Sequence, residues 1–136
     1  MSSEVALSAD LRWLLYSALL CLVLWVPYII SAISVRGLDR VVGYPTGEYG
    51  DLPAWARRNQ RAHMNLVENL IPFAAIVLVA HVSGAANATT ALAAQVFFWA
   101  RLVHSVVMIA GIAWVRTLSF AVGWLATLLI LWEVLV

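Results

Sequence analysis

The chain is 136 residues long, 64% hydrophobic and only 11% charged, with a formal net charge of +1 and a mean hydropathy of +0.93. That composition lies outside the range of soluble domains and describes a membrane protein, and so small a net charge excludes the broad basic field that a nucleic-acid partner requires. The length suits one all-α domain with four apolar stretches, each able to cross a hydrocarbon core of about 30 Å at about 1.5 Å per residue, and leaves no soluble domain over.

The first predicted span covers residues 11–35, with Arg12 near its start and Pro27 inside it. Glu4 and Asp10 precede it and it is too long for the apolar core of a signal peptide, so it is expected to be retained. A polar loop, 36–60, follows, and its turn formers are Gly37, Gly43, Pro45, Gly47, Gly50 and Pro53. The second span, 61–82, contains Pro72, which removes a helix hydrogen bond and is expected to bend it. After the turn SGAANATT, Asn87 to Thr90 offer N-cap residues to a third span, 88–113. The fourth span, 117–136, follows Arg116, and the short link makes spans three and four antiparallel neighbours. The single Cys21 lies in the first apolar stretch, where it reads as a small buried hydrophobe with no internal disulfide partner.

All the basic residues are arginine, and an alanine-rich, lysine-free composition points to GC-rich codons and a bacterial source. Arg36, Arg40, Arg57, Arg58, Arg61 and Arg116 flank the first and third loops, whereas Arg12 lies near the opposite side. The positive-inside rule then makes both loops cytoplasmic and puts both ends of the chain outside. Arg57 and Arg58 are expected to meet lipid phosphates or water. Trp13, Trp25, Trp55, Trp114 and Trp132 fall near span ends and fit an aromatic belt; Trp99 and Trp124 have no such place.

Polar groups inside the spans carry the functional signal. Arg61, Asn65, Glu68 and Pro72 share an arc of about 60° on the second helix, and Arg101, His104 and Met108 share a face of the third. An arginine near mid-span costs about 2.5–3.5 kcal/mol on the insertion scale. Glu68, the one carboxylate inside the middle spans, is therefore expected to pair with Arg101. Such a pair alone would fix helix register. Arg61, Arg101, His104 and Arg116 together exceed what one glutamate can neutralise, and that surplus suggests an anionic ligand. His63 is expected to be interfacial and His81 solvated. The scattered histidines give no metal site, and no phosphate loop, serine-nucleophile motif or CxxC occurs. From the residues alone, a non-catalytic module that binds a small amphiphile or lipid, or scaffolds a partner, stays open.

RAHMNLVENLIPF at 61–73, RLVH at 101–104 and VRT at 115–117 resemble the motifs of the MAPEG family, the membrane-associated proteins in eicosanoid and glutathione metabolism, and in particular its bacterial members. The resemblance implies a left-handed four-helix bundle assembled as a homotrimer in a bacterial inner membrane. It also implies a glutathione-dependent transferase or peroxidase, with glutathione as cosubstrate between subunits at the cytoplasmic helix ends and a lipophilic electrophile arriving from the bilayer. Under it, Arg61, Asn65 and Glu68 would hold the glutathione backbone, Arg101 would support Glu68 and the ligand, His104 would contact it, and Arg36 would add a further basic group. Arg116 would stabilise the thiolate, with Thr117 beside it. Met108 stands where the eicosanoid-forming members carry a tyrosine, Met64 where one of them carries an arginine, and Phe120 where a tyrosine hydroxyl is expected.

Overall fold

The computed structural model describes residues 6–43 and 49–136; Glu4, and Pro45 and Gly47 of the predicted loop, lie outside the described residues. The described residues form helices and no strand: α1 (Ala9–Leu24), α2 (Val26–Arg36), α3 (Leu38–Val42), α4 (Ala54–Val82), α5 (Ala88–Ala110) and α6 (Ala113–Leu135). Four stretches, Ala9–Arg36, Ala54–Val82, Ala88–Ala110 and Ala113–Leu135, are long and apolar enough to cross a membrane.

α1 and α2 are one apolar stretch broken at Trp25. Pro27 stands in the first turn of α2, where its missing N–H costs that helix nothing but leaves the last turn of α1 short of a donor. A side chain from the next long helix meets this break: Asn59, fully buried, donates from Nδ2 to the Leu24 carbonyl at 2.9 Å.

The second long helix begins at Ala54, about two turns earlier than the sequence predicts, and the loop expected over 36–60 shrinks accordingly. The cause is a buried stripe that starts before the apolar run does. Ala56, Asn59, Ala62, Leu66, Phe73, Val77 and Ala80 recur at helical spacing and are all buried. Pro53 supplies the N-cap position, where a proline sacrifices no helical bond. At 29 residues, or about 44 Å, α4 runs through Pro72 as one helix.

Asn87 caps α5 with a reciprocal box: its Oδ1 accepts from the Thr90 N–H at 3.0 Å while its own N–H donates to Thr90 Oγ1 at 2.8 Å. At the other end Gly111, with φ 84° and ψ 25°, takes the left-handed conformation that ends the helix. α6 starts two residues later and packs antiparallel along α5.

The bundle of α1, α4, α5 and α6 closes on Phe73, Val77, Ala80, Ala93, Ala94, Phe97, Ala126 and Ile130. Phe73 and Phe97 stack at 3.7 Å between centroids. Alanines and Gly123 let the helix backbones approach closely, as membrane bundles require where lipid offers no hydrophobic drive. Trp114 and Trp132 are exposed near the two ends of α6, while Trp99 and Trp124 lie half exposed on the outer surface.

Candidate functional site

A pocket of about 260 Å³ opens between α4, α5 and α6, lined by Arg61 and Asn65 from α4, His104 and Met108 from α5, and Arg116, Thr117 and Phe120 from α6. All seven were singled out in the sequence, five of them, Arg61, Asn65, His104, Arg116 and Thr117, as candidate site residues, and they come together here. They do so because Arg61 and Asn65 are one turn apart on α4, His104 and Met108 one turn apart on α5, and the two-residue connection brings the first turns of α6 back beside them. Among the described residues no carboxylate lines the pocket. Arg61 and Arg116 are both exposed, and among the described residues neither makes a hydrogen bond or ion pair.

Arg101 lies behind this pocket and is 1% exposed. Its Nη2 donates to Asn65 Oδ1 at 2.5 Å, and its guanidinium carbon sits 5.7 Å from the centroid of Phe120. The stem fits because Gly123 of α6 has no side chain; a Cβ there would stand 3.2 Å from Arg101 Cδ. The guanidinium is incompletely satisfied, since buried Nε has no acceptor, and buried His104 Nδ1 is likewise without a partner. Two orphaned polar atoms beside a carboxylate-free pocket suit an anionic ligand with hydrogen-bonding groups. Thr117 Oγ1 donates to the Ala113 carbonyl at 3.2 Å, so its lone pairs face outward while its proton is held by its own helix.

Two expectations are corrected. Arg101 pairs with Asn65 and not with Glu68: Glu68 is exposed on α4, is not a pocket residue and forms no ion pair among the described residues. Asn65 is partly buried beside Arg101, whereas Glu68, on the same arc of α4 but nearly one turn further along, is exposed. Arg36, expected to add a basic group at a site between subunits, does not line this pocket within one chain. It binds Asp51 through two hydrogen bonds, Nε to Oδ2 at 2.7 Å and Nη2 to Oδ1 at 2.5 Å, and lies 5.0 Å from the Tyr49 ring centroid. The Arg36 hydrogen bond lowers the Asp51 carboxyl from its ordinary pKa. Arg58, expected to meet lipid phosphate or water, instead donates from Nε to the Ile109 carbonyl at 2.8 Å.

Sequence reasoning missed Asn69, whose Nδ2 donates to the Asn65 carbonyl at 2.8 Å and lies 3.5 Å from Asn65 Oδ1, buttressing the acceptor that Arg101 uses. Its spacing of four from Asn65 was the available signal. It also missed Asn59 and Gly123, which have no polar periodicity to mark them. His63 of α4 faces both α1 and α2, with Nδ1 3.1 Å from the Tyr28 hydroxyl and Nε2 3.9 Å from Cys21 Sγ. No group of three or more metal-ligating side chains occurs among the described residues.

Comparison with known proteins gives this geometry a family. Human microsomal glutathione S-transferase 1 is 39% identical over 72 residues, which cover 52% of this chain and 46% of that protein, so the match spans less than half of the relative's length. No solved structure matches at a significant level. The MAPEG family model matches residues 14–136, nearly the whole four-helix bundle, and the chain belongs to the MAPEG family.

Proposed function

We propose that this integral, multi-pass membrane protein is a glutathione-dependent transferase or peroxidase that acts on a lipophilic electrophile. The observation that carries the reading is the pocket with two free guanidinium groups, Arg61 and Arg116, and no carboxylate among its lining residues. Glutathione offers two carboxylates, an ammonium and a thiol, and arginines meet carboxylates with paired, charge-assisted hydrogen bonds. Arg61 and the Arg101–Asn65 pair would hold a carboxylate, His104 Nδ1 would bond to the ligand backbone, and Arg116 with Thr117 would face the sulfur. Family membership and the name of the human relative support glutathione as the thiol.

Two features bear on where the rest of such a ligand lies. At about 260 Å³ the pocket falls below the ~300–1,000 Å³ of most small-molecule sites, and Glu68, the natural partner for an ammonium, is exposed and not among its lining residues. Both fit a site completed by a neighbouring copy of the chain, in a homotrimer whose arginine-bearing helix ends are cytoplasmic and whose chain ends lie outside a bacterial inner membrane. Arg36 is held by Asp51 within the chain and would join the ligand only from a neighbouring copy.

The chemical demand is a thiolate. A thiol with a pKa of about 8.5 is a few per cent ionised at neutral pH, and bringing it to about 6.5 takes roughly 2.7 kcal/mol of preference for the anion. One partly desolvated arginine and one hydroxyl supply an effect of that size. Thr117 contributes by turning its hydroxyl from the Ala113 carbonyl toward the sulfur. In transfer, the S–C bond forms as the leaving group departs with its electron pair, and the thiol proton goes to water. In the peroxidase variant two thiols are oxidised to a disulfide while the hydroperoxide is reduced to an alcohol and water.

A second reading, a non-catalytic module for a small anionic amphiphile, is favoured by one observation: Met108 and Phe120 give the pocket an apolar wall without a hydroxyl. Calorimetry with glutathione in detergent, followed by turnover with chlorodinitrobenzene and cumene hydroperoxide, separates the two. The transferase or peroxidase reading expects both binding and turnover; binding without turnover favours the module, and indifference to glutathione removes the first reading.

A further inference from the structure

Arg58 is half-buried one turn before Arg61 on α4, yet it is not a lining residue of the pocket. Its Nε donates at 2.8 Å to the carbonyl of Ile109, in the last turn of α5, where helical carbonyls have no partner within the helix and the dipole is negative. The connection it grips is minimal. Gly111 is left-handed, its N–H donates to the Met108 carbonyl at 3.2 Å, and the Ile112 N–H donates to the Val107 carbonyl at 2.9 Å. A Cβ on Gly111 would stand 3.5 Å from both Cζ and Nε of Arg58, so the guanidinium lies directly against the turn. α6 begins at Ala113, and Arg116 and Thr117 occupy its first turns.

One side chain of α4 therefore fixes the two-residue turn that sets α6 against α5, and with it the distance of Arg116 and Thr117 from Arg61, Asn65, His104 and Met108 across the pocket. We propose that Arg58 is a positioning residue: it acts through the Ile109 carbonyl and the α5–α6 turn to hold Arg116 and Thr117 where they stabilise the thiolate, without touching the ligand itself. This rests on the thiolate role proposed for Arg116. The chemistry suits arginine, because a charge-assisted bond to a carbonyl at a helix C-terminus neutralises the negative end and orders the turn together.

The test uses the full-length protein in detergent with glutathione as probe, comparing Arg58→Ala and Arg58→Lys with wild type. Thiolate absorbance is followed against pH, kcat and KM are measured with chlorodinitrobenzene, and hydrogen exchange is read at the amides of Gly111 and Ile112. Arg58→Ala is expected to shift the thiolate titration to higher pH and to lower kcat about tenfold at neutral pH, with KM for glutathione changed less than about twofold. The two turn amides are expected to exchange about tenfold faster. Arg58→Lys, which keeps a cationic donor, is expected to restore the titration and the exchange rates. A purely structural residue would lower thermal stability and leave the thiolate titration in place, and that result overturns the proposal. Unchanged exchange at Gly111 and Ile112 in Arg58→Ala overturns it as well, whatever the thiol does. If wild type binds no glutathione while Arg58→Ala still loosens the turn, the glutathione reading fails and the grip of Arg58 on the turn stands.

Discussion

Two clusters of arginine in this chain meet opposite fates. Arg36 is closed off: a forked pair with Asp51 satisfies it and Tyr49 covers one face. Arg61 and Arg116 are open, with no acid beside them, and Arg101 behind them has one neutral acceptor and an orphaned Nε. A chain with 8 basic and 7 acidic residues could pair nearly all of its charges, so the net +1 conceals how unevenly they are placed. A charge that finds its partner within the chain orders structure, as Arg36 orders the segment around Asp51. Charges gathered at a pocket without a partner cost folding energy, and that cost is recovered when an anion arrives.

The comparison is broken most severely by removing an open cation. Arg116→Ala is expected to lower turnover at neutral pH by up to about 25-fold, because a thiol returned from a pKa of about 6.5 to about 8.5 falls from about three-quarters to a few per cent ionised, while glutathione binding persists. Steady-state kinetics beside calorimetry measures both, and unchanged turnover would remove Arg116 from the chemistry.

Next in size is the buried arginine, where two variants point in opposite directions. Asn65→Ala deprives Arg101 of its acceptor and is expected to cost about 1.5–3 kcal/mol of stability. Arg101→Met removes the buried charge with an apolar side chain of similar length and is expected to leave stability within about 1 kcal/mol of wild type, or to raise it, while weakening glutathione binding. Gly123→Ala should fall between them, at about 1–2 kcal/mol, because the new methyl meets an Arg101 stem held at both ends. Thermal unfolding in detergent ranks all three; equal losses for Asn65→Ala and Arg101→Met would mean that the guanidinium is a structural pair like Arg36.

How much of this was legible in the sequence depends on how local each determinant is. The α5 cap was, because Asn87 and Thr90 satisfy each other within one turn. The grouping of Arg61, Asn65, His104, Arg116 and Thr117 was as well, since helical spacing and a short connection suffice to converge them. The start of α4 was not: the polar run RRNQR masks a stripe whose buried members there are only Ala56 and Asn59. The choice of Asn65 over Glu68 for Arg101 turns on how far along α4 the Arg101 guanidinium reaches, since the two residues share an arc, and that height is set by the packing of α4 against α5. The room for Arg101 comes from Gly123 on a different helix, and nothing near Arg101 in the chain announces it. Arg58 had an unused signal, since it shares a face of α4 with Arg61 and Asn65 at spacings of three and seven.

The smallest effect lies on the closed cluster, and its smallness is the point. Arg36 depresses the Asp51 carboxyl, chiefly through their hydrogen bond, so the carboxylate favours the folded segment above the ordinary carboxylate range of about 3.9. A depressed pKa means that this preference is lost as pH falls through the folded value, below about 4, and is flat at neutral pH. Asp51 is exposed and Arg36 partly so, and the pair is screened, so Asp51→Asn is expected to speed amide exchange in residues 49–52 while glutathione affinity and turnover at neutral pH stay within about twofold of wild type. In wild type the same acceleration should emerge only below about pH 4, and in Asp51→Asn it should be present throughout. A large loss of glutathione affinity in Asp51→Asn would show that Arg36 is part of the ligand's grip after all, and the contrast between closed and open arginines would dissolve.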